Sequence, residues 1–169
     1  YEAKVANIPN KIAYFTVKRD SVDDPVETFR KLNTGEYENL NLETREDLLK
    51  DIKIEATPIL TKEINNYIKA LENGDTLDIN KPAIKEIFGV ETYNNFVLTE
   101  QNTLKLSDVK SQIMNSKVGD EKGIYDSWNL SSGNYAEDLK YKTKAQNFLA
   151  DKNKLIEEDA ATLILTHNS

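Results

Sequence analysis

The residues best suited to contact another molecule are clustered in one short stretch of the chain. Tyr125, Trp128 and Tyr135 lie in or beside residues 119–134, which are rich in Gly, Ser and Asn. Tyrosine and tryptophan combine a large, rigid apolar surface with one polar group, and they are enriched among residues that dominate binding energies. We therefore predict a protein-binding site at Tyr125, Trp128 and Tyr135. The alternative is that Trp128 plugs one end of a helical bundle as an outlying core residue.

Carboxylates are plentiful enough to support a different, catalytic interpretation. A glycoside hydrolase needs two facing acids, one of which has its pKa raised by an apolar pocket. The acids with the most apolar neighbours in the sequence are Glu63, Glu86, Glu91 and Asp126. Their spacing does not single out a pair. A carboxylate-dependent enzyme acting on glycans is therefore an alternative to the binding hypothesis, and we predict no catalytic residue.

Metal and cofactor sites are disfavoured by what the sequence lacks. The chain has no cysteine, and its one histidine, His167, lies near the C-terminus, where chains usually fray. The acidic string that begins at Asp151 fails as a calcium loop, because its sixth and twelfth positions hold Ile156 and Thr162 in place of Gly and Glu. The sequence contains neither of the glycine-rich motifs that bind phosphate groups, Gly-x-x-x-x-Gly-Lys-Ser/Thr and Gly-x-Gly-x-x-Gly. We predict no metal and no cofactor.

The charge of the chain points away from polyanions. The formal net charge is −7 and the isoelectric point is about 4.9, so we predict no nucleic-acid binding. Acidic side chains outnumber basic ones most strongly within residues 36–51. The acids of this segment are Glu36, Glu38, Glu43, Glu46, Asp47 and Asp51. A third hypothesis is therefore an acidic regulator that binds a basic protein surface.

The apolar runs are too short for a membrane-spanning helix, which needs about 18 or more consecutive apolar residues. We therefore predict a soluble domain without direct membrane insertion. The chain begins at Tyr1 instead of Met, so we expect either a processed product, from which a signal, lipid anchor or membrane helix has been removed, or a shortened form of a longer chain. The absence of cysteine is compatible with a cytosolic protein, and also with envelope or secreted proteins of organisms that seldom use disulfides. The cell envelope or the extracellular space is thus favoured over the cytoplasm.

Two kinds of pattern organise the first half of the chain. Residues 3–19 carry β-branched and aromatic side chains around Pro9-Asn10, which predicts a strand or short hairpin. Asp24 and Pro25 then begin a short helix that Gly35 ends. A longer apolar stripe over 43–72 predicts one helix with a kink at Pro58 and an end at Gly74.

The second half is also predicted to be helical, with more interruptions. A helix begins at Asn80 and ends at Gly89, and the segment 90–98 is ambiguous. Ser107-Asp108 predicts the start of a short helix that Gly119 ends, residues 119–134 are expected to be loop-rich, and 135–165 form the last helix. The string Asp151-Lys152-Asn153 is typical of a turn within it.

These patterns predict a mainly α protein: an irregular bundle of about five to seven helices with a small N-terminal β strand or hairpin, in a single domain over residues 1–169. A non-catalytic protein-interaction or assembly module fits this combination best. An accessory protein of the cell envelope, or of a phage type, is one example. A protein partner is therefore expected, whereas the oligomeric state is left open.

Overall fold

The computed structural model describes residues 7–128 and 134–167, which form seven helices. The helices are α1 Ile8–Asp23, α2 Pro25–Thr34, α3 Leu42–Asn73, α4 Lys81–Phe88, α5 Val90–Asn115, α6 Glu121–Ser127 and α7 Tyr135–His167. The mainly helical class is confirmed. The chain divides into two compact units. In the described part of the chain, the first unit holds residues 7–67 and 78–96, and the second holds 68–77, 97–128 and 134–167. The prediction of a single domain stays a prediction.

The predicted N-terminal β segment is wrong over residues 7–19, which belong to α1 and the turn before it; residues 3–6 lie outside the described residues. The side chains that α1 turns inward are Ala13, Tyr14, Val17 and Ser21, a spacing of three or four that only a helix places on one face. Pro9 is tolerated because it stands in the first turn, where its missing N–H has no helical partner to lose.

Side-chain caps fix several helix ends at the predicted residues. The Asp24 carboxylate accepts a hydrogen bond from the Glu27 N–H at 2.9 Å, and the Asn80 side chain accepts one from the Ala83 N–H at 3.1 Å. Gly35 and Gly74 follow α2 and α3 with φ of 82° and 83°, the left-handed conformation that glycine adopts without a Cβ clash. These four boundaries are confirmed.

The first unit is built around α3. Leu48, Ile52, Ala56 and Leu60 recur every four residues on this helix and are almost fully buried. Helix α1 runs in the same direction as α3, since Asn10 donates to Thr44 and Lys18 pairs with Asp51 at 3.2 Å. Helix α1 packs on α2, and α2 packs on α4. The other core residues of this unit are Val17, Val26, Phe29, Leu32, Tyr67, Ala83, Ile84, Ile87 and Phe96.

The second unit pairs the C-terminal part of α5 with α7. Leu106, Val109 and Ile113 of α5 form one buried cluster with Tyr141 and Ala145 of α7. The Lys110 ammonium lies 5.6 Å from the centre of the Phe148 ring, and Lys152 donates to the Met114 carbonyl at 2.8 Å. Both contacts join residues 38 apart in sequence, so α5 and α7 run in the same direction.

Three predicted interruptions are absent from the helices of the second half. Helix α5 is continuous from Val90, so Ser107 and Asp108 do not begin it. The Asp108 carboxylate instead accepts a hydrogen bond from Gln112 within the helix. Residues 121–127 of the predicted loop form α6, and α7 passes through Asp151-Lys152-Asn153 without a turn. The Lys152 ammonium donates its hydrogen bond to a carbonyl in the last turn of α5. A positive charge is stabilising there, because the C-terminal end of a helix carries the negative end of its dipole.

Two buried polar atoms on α5 lack a hydrogen-bond partner among the described residues, Asn102 Nδ2 and Thr103 Oγ1. Thr103 is 1% exposed, and an unpaired buried hydroxyl costs about 1–3 kcal/mol. Thr103→Val keeps the shape of the side chain and replaces the unpaired hydroxyl with a methyl group. We expect it to raise the free energy of unfolding by about 1 kcal/mol and the melting temperature by about 2–4 °C, as measured by urea and thermal unfolding.

Thr28→Val is the matched control for this substitution. Thr28 is 2% exposed, and its hydroxyl, unlike that of Thr103, is not among the buried polar atoms that lack a partner. The same change should therefore destabilise the protein by about 1 kcal/mol. Equal effects of the two variants would contradict the unpaired state of the Thr103 hydroxyl.

Candidate functional site

The three aromatic residues singled out from the sequence line one groove. Tyr125, Trp128 and Tyr135 surround a cavity of about 510 Å³ whose remaining wall comes from α7. That wall consists of Asp138, Leu139, Lys142, Thr143 and Gln146. We call this cavity the aromatic groove. Residues 129–133, which connect Trp128 to Asn134 in the sequence, lie outside the described residues.

Helix α6 sets the position of Tyr125 and Trp128. Gly119 has φ of 101°, and its N–H donates to the Glu121 carboxylate at 2.6 Å, so the start of the helix is tied to a side chain that is 6% exposed. At the other end, the Trp128 N–H donates to the carbonyls of Ile124 and Tyr125 at 3.1 and 3.2 Å. The Trp128 backbone is therefore held by the helix that precedes it.

The other side of the groove depends on the first turns of α7. The Asn134 side-chain oxygen accepts hydrogen bonds from the N–H groups of Ala136 and Glu137, at 3.1 and 3.3 Å, which is the usual cap of a helix start. Tyr135 follows the cap and is 81% exposed, and Leu139, one turn later, is 51% exposed. The groove thus presents apolar surface to solvent on a well-anchored backbone.

Trp128 has features that fit both of the alternatives raised by the sequence. It is half-buried and packs, with Ile124 and Tyr125, against the buried cluster of α5 and α7. It also lines the aromatic groove. One part of the side chain is therefore supported by the core while another remains available. This support is what a rigid binding surface requires, because little side-chain entropy is then lost on contact.

The groove is close to electrically neutral. It holds one acid and one base, Asp138 and Lys142, which are four residues apart on α7 and so lie on the same side of the helix. Asp126 is not among its lining residues. Its carboxylate instead pairs with Lys122 at 2.9 Å, and this hydrogen bond raises the pKa of the exposed Lys122 ammonium.

The acids considered for catalysis lie apart from the cavities described for residues 7–128 and 134–167. Glu63, Glu86 and Glu91 belong to the first unit and Asp126 to the second, and none of them lines the four cavities described for the chain. Glu86 lies within hydrogen-bond distance of the Asn33 amide. In the described part of the chain, no three potential metal ligands come together. His167 is the last residue of α7, and its side chain is not among those described.

A second exposed surface, on α1, was missed by the sequence interpretation. Ile8, Ile12, Phe15 and Val22 are 50%, 62%, 67% and 83% exposed. The signal was present in the sequence as a separation of seven residues between Ile8, Phe15 and Val22, which is a helical repeat. Assignment of the segment to a strand concealed it.

This surface borders a cavity of about 470 Å³ between α1 and the loop before α3. The α1 wall contains Pro9, Ile12, Ala13 and Thr16, and the loop contributes Glu36, Tyr37, Glu38 and Asn39. The loop is fixed by two contacts: the Arg45 guanidinium donates to the Tyr37 carbonyl at 3.2 Å, and the Tyr37 hydroxyl donates to Asp20 at 3.0 Å. Gly35 makes room for Arg45, because a Cβ there would lie 3.3 Å from its Nη1.

Asp20 anchors this loop as a carboxylate. Hydrogen bonds from Arg19 and then from Tyr37 hold the pKa of Asp20 below its usual value. The ionised carboxylate therefore stabilises the folded state at any pH above the unfolded pKa of about 3.9. This contribution is lost as the pH falls through the lower pKa of the folded state.

Asp20→Asn should cost about 1 kcal/mol at pH 7 and much less at about pH 2.5, as measured by urea unfolding at both values. Tyr37→Phe should behave in the same way with a smaller amplitude. An equal cost of Asp20→Asn at both pH values would contradict this role.

The half-buried position of Trp128 sets a second expectation. Trp128→Ala removes its contacts with the core cluster and should cost about 2 kcal/mol, less than the 3–5 kcal/mol of a fully buried aromatic residue. Tyr135→Ala should change the free energy of unfolding by less than about 0.5 kcal/mol, because the side chain is mostly exposed. Urea unfolding of both variants measures the difference. A loss above about 4 kcal/mol for Trp128→Ala would mean that the residue is purely a core residue.

No protein-family model, no curated protein and no solved structure matches this chain. Among the described residues, no helix has the length and apolar character needed to cross a membrane. The case for a function therefore rests on the surfaces of the molecule itself. Of these surfaces, the aromatic groove is the one lined by all three residues of the predicted binding site.

Proposed function

We propose that this protein is a non-catalytic interaction module that binds a peptide segment of a partner protein in the aromatic groove. The observation that supports the proposal is the convergence of Tyr125, Trp128 and Tyr135 on one cavity of about 510 Å³. This volume lies within the range of about 300–1,000 Å³ that is typical of ligand sites. It is large enough to receive one or two apolar side chains.

The groove has the composition of a binding hot spot. Trp128 offers a supported aromatic surface, and Tyr135 and Leu139 offer apolar area that a ligand would remove from water. Asp138, Lys142 and Gln146 can form hydrogen bonds with the backbone of an extended or helical peptide. A peptide with an apolar or aromatic anchor and polar flanking residues is the ligand that matches this surface.

Electrostatics separates this proposal from the acidic-regulator hypothesis. Because the groove carries one acid and one base, binding should depend mainly on apolar burial and should change little with ionic strength. A regulator that uses the acidic segment 36–51 would instead lose most of its affinity in high salt. The salt dependence of any ligand therefore shows which surface it uses.

The experiment that tests the proposal is selection of peptides from a random library on the immobilised protein. Trp128 is the only tryptophan of the chain, so its fluorescence reports directly on the groove. Selected peptides should shift or quench this emission. Leu139→Ser should weaken their affinity by about tenfold or more, since an anchor residue contributes more than about 1.4 kcal/mol.

Leu104→Ser is the matched control. Leu104 is 49% exposed, close to the 51% of Leu139, lies on a helix of the same unit, and does not line the groove. This change should alter peptide affinity by less than about twofold. Peptides that bind both variants equally, or that leave the Trp128 emission unchanged, would contradict the proposal, as would a failure to select any peptide.

A further inference from the structure

Helix α1 carries an apolar stripe that nothing in the described residues covers. Ile8, Ile12, Phe15 and Val22 are all at least half exposed. At 100° per residue, their positions fall within about 80° of arc around the helix. Steps of four, three and seven residues are the spacing of a coiled-coil seam, with Ile8, Phe15 and Val22 at d positions and Ile12 and Arg19 at a positions.

The two sides of this stripe carry opposite charges. Lys11 and Lys18 precede the a residues and occupy the g positions on one side. On the other side, Thr16 and Asp23 occupy e positions. Thr16 also lines the cavity whose far wall is the acidic loop with Glu38 and with Glu36, whose carboxylate pairs with Arg30 at 3.2 Å. The stripe therefore has a basic edge and an acidic edge.

We propose that α1 pairs with α1 of a second copy of this chain, in parallel and about a two-fold axis. This inference is independent of the function proposed for the aromatic groove. In a parallel pair, a g residue of one helix approaches the e residue five positions further along its partner. Lys18 of one copy then meets Asp23 of the other, and Lys11 meets Thr16 and the acidic loop beside it.

The same charges disfavour the antiparallel arrangement. A two-fold axis perpendicular to the helices places the basic edge of one copy beside the basic edge of the other, so Lys11 and Lys18 would face like charges. A two-fold axis along the helices places the basic edge beside the acidic edge. Charge complementarity within one sequence therefore selects the parallel pair.

The existing contacts of the stripe are compatible with this pairing. Arg19 is the polar residue of the seam. Its guanidinium pairs with Asp20 of the same copy at 2.9 Å, so the two Arg19 charges in a dimer would each be neutralised within their own chain. A polar a position lowers affinity but fixes register. On the basic edge, Lys18 pairs with Asp51 of α3 at 3.2 Å, and Lys11 lines a cavity together with Asp47 and Asp51. Exposed ion pairs of this kind are worth little and can be exchanged for contacts with a second copy. The seam spans only about two heptads, so we expect a dimer of micromolar affinity.

The oligomeric state is the first test. Light scattering of the full chain from about 1 µM to about 500 µM should show the mass rising from one copy towards two, as expected for micromolar affinity. Phe15→Glu should keep the mass at one copy throughout. Ile54→Glu, which changes a residue on α3 that is 74% exposed, should leave dimerisation intact. A single-copy mass for the unchanged chain at every concentration would overturn the proposal and would mean that another partner covers the stripe.

Cysteine cross-linking tests the orientation. The chain has no cysteine, so single substitutions give unambiguous products. In a parallel pair, position 8 of one copy faces position 8 of the other, and position 22 faces position 22. Ile8→Cys and Val22→Cys should therefore each form a disulfide-linked dimer on mild oxidation. In an antiparallel pair, neither variant cross-links alone but a mixture of the two does. That second result would overturn the parallel arrangement.

A charge exchange tests the edges of the seam. Lys11→Glu should weaken the dimer several-fold, because it brings a carboxylate towards the acidic loop. Adding Glu38→Lys should restore it, since each interface then regains opposite charges. Glu38 is exposed, so the change should not disturb the fold. Failure of the second substitution to restore dimerisation would overturn the predicted placement of Lys11 beside the loop.

Discussion

Burial of a narrow apolar row on α3 is the constraint on which the first unit depends. The chain has no disulfide, and so its folding free energy must come from apolar burial. Leu48, Ile52, Ala56 and Leu60 supply an unbroken row at four-residue intervals. Pro58 lies within that span but on the exposed side of the helix. Proline has no N–H for the carbonyl four residues earlier, and on this side that carbonyl can be hydrated. The row therefore keeps its phase, and α3 continues past the proline.

The parallel arrangement of α5 and α7 explains the location of the aromatic groove. Two adjacent helices that run in the same direction cannot be joined by a tight turn, because the chain must return along their length. The described residues 116–128 belong to the connection between these helices and include α6. Tyr125 lies in α6 and Trp128 directly follows it, while Tyr135 is the first residue of α7. The same topology that buries Ile113 and Ala145 in one cluster thus brings three aromatic residues to one place.

Local signals in the sequence predicted the features that depend on local chemistry. Asp24, Asn80, Gly35 and Gly74 act through backbone groups within a few residues, so their roles could be read from the sequence alone. Ser107 shows the limit of such reasoning. Its hydroxyl lies 3.8 Å from where a Cβ of Gly74 would be, and tertiary packing places it inside α5 instead of at a cap.

The same distinction applies to the candidate sites. The aromatic residues of the groove could be selected from residue type and local composition, but their convergence required the positions of α6 and α7. The stripe on α1 was concealed because β-branched and aromatic residues favour strands in general. Ile8, Ile12 and Phe15 were therefore predicted to belong to a strand or short hairpin. Half-burial of Ala13 and Tyr14 beside Val17 shows that the helical period prevails in α1.

The two surfaces differ in chemistry in a way that suits an assembly role. The aromatic groove is nearly neutral and mixed in polarity, whereas the α1 stripe is apolar with charged edges. Such surfaces select different occupants, because a groove with hydrogen-bonding groups favours a peptide and a heptad stripe favours another helix. Pairing through α1 would give each assembly two aromatic grooves. A partner that presents two copies of the same peptide would then be bound with an avidity that exceeds the affinity of one groove. Weak individual contacts would in this way be sufficient for a stable and reversible assembly.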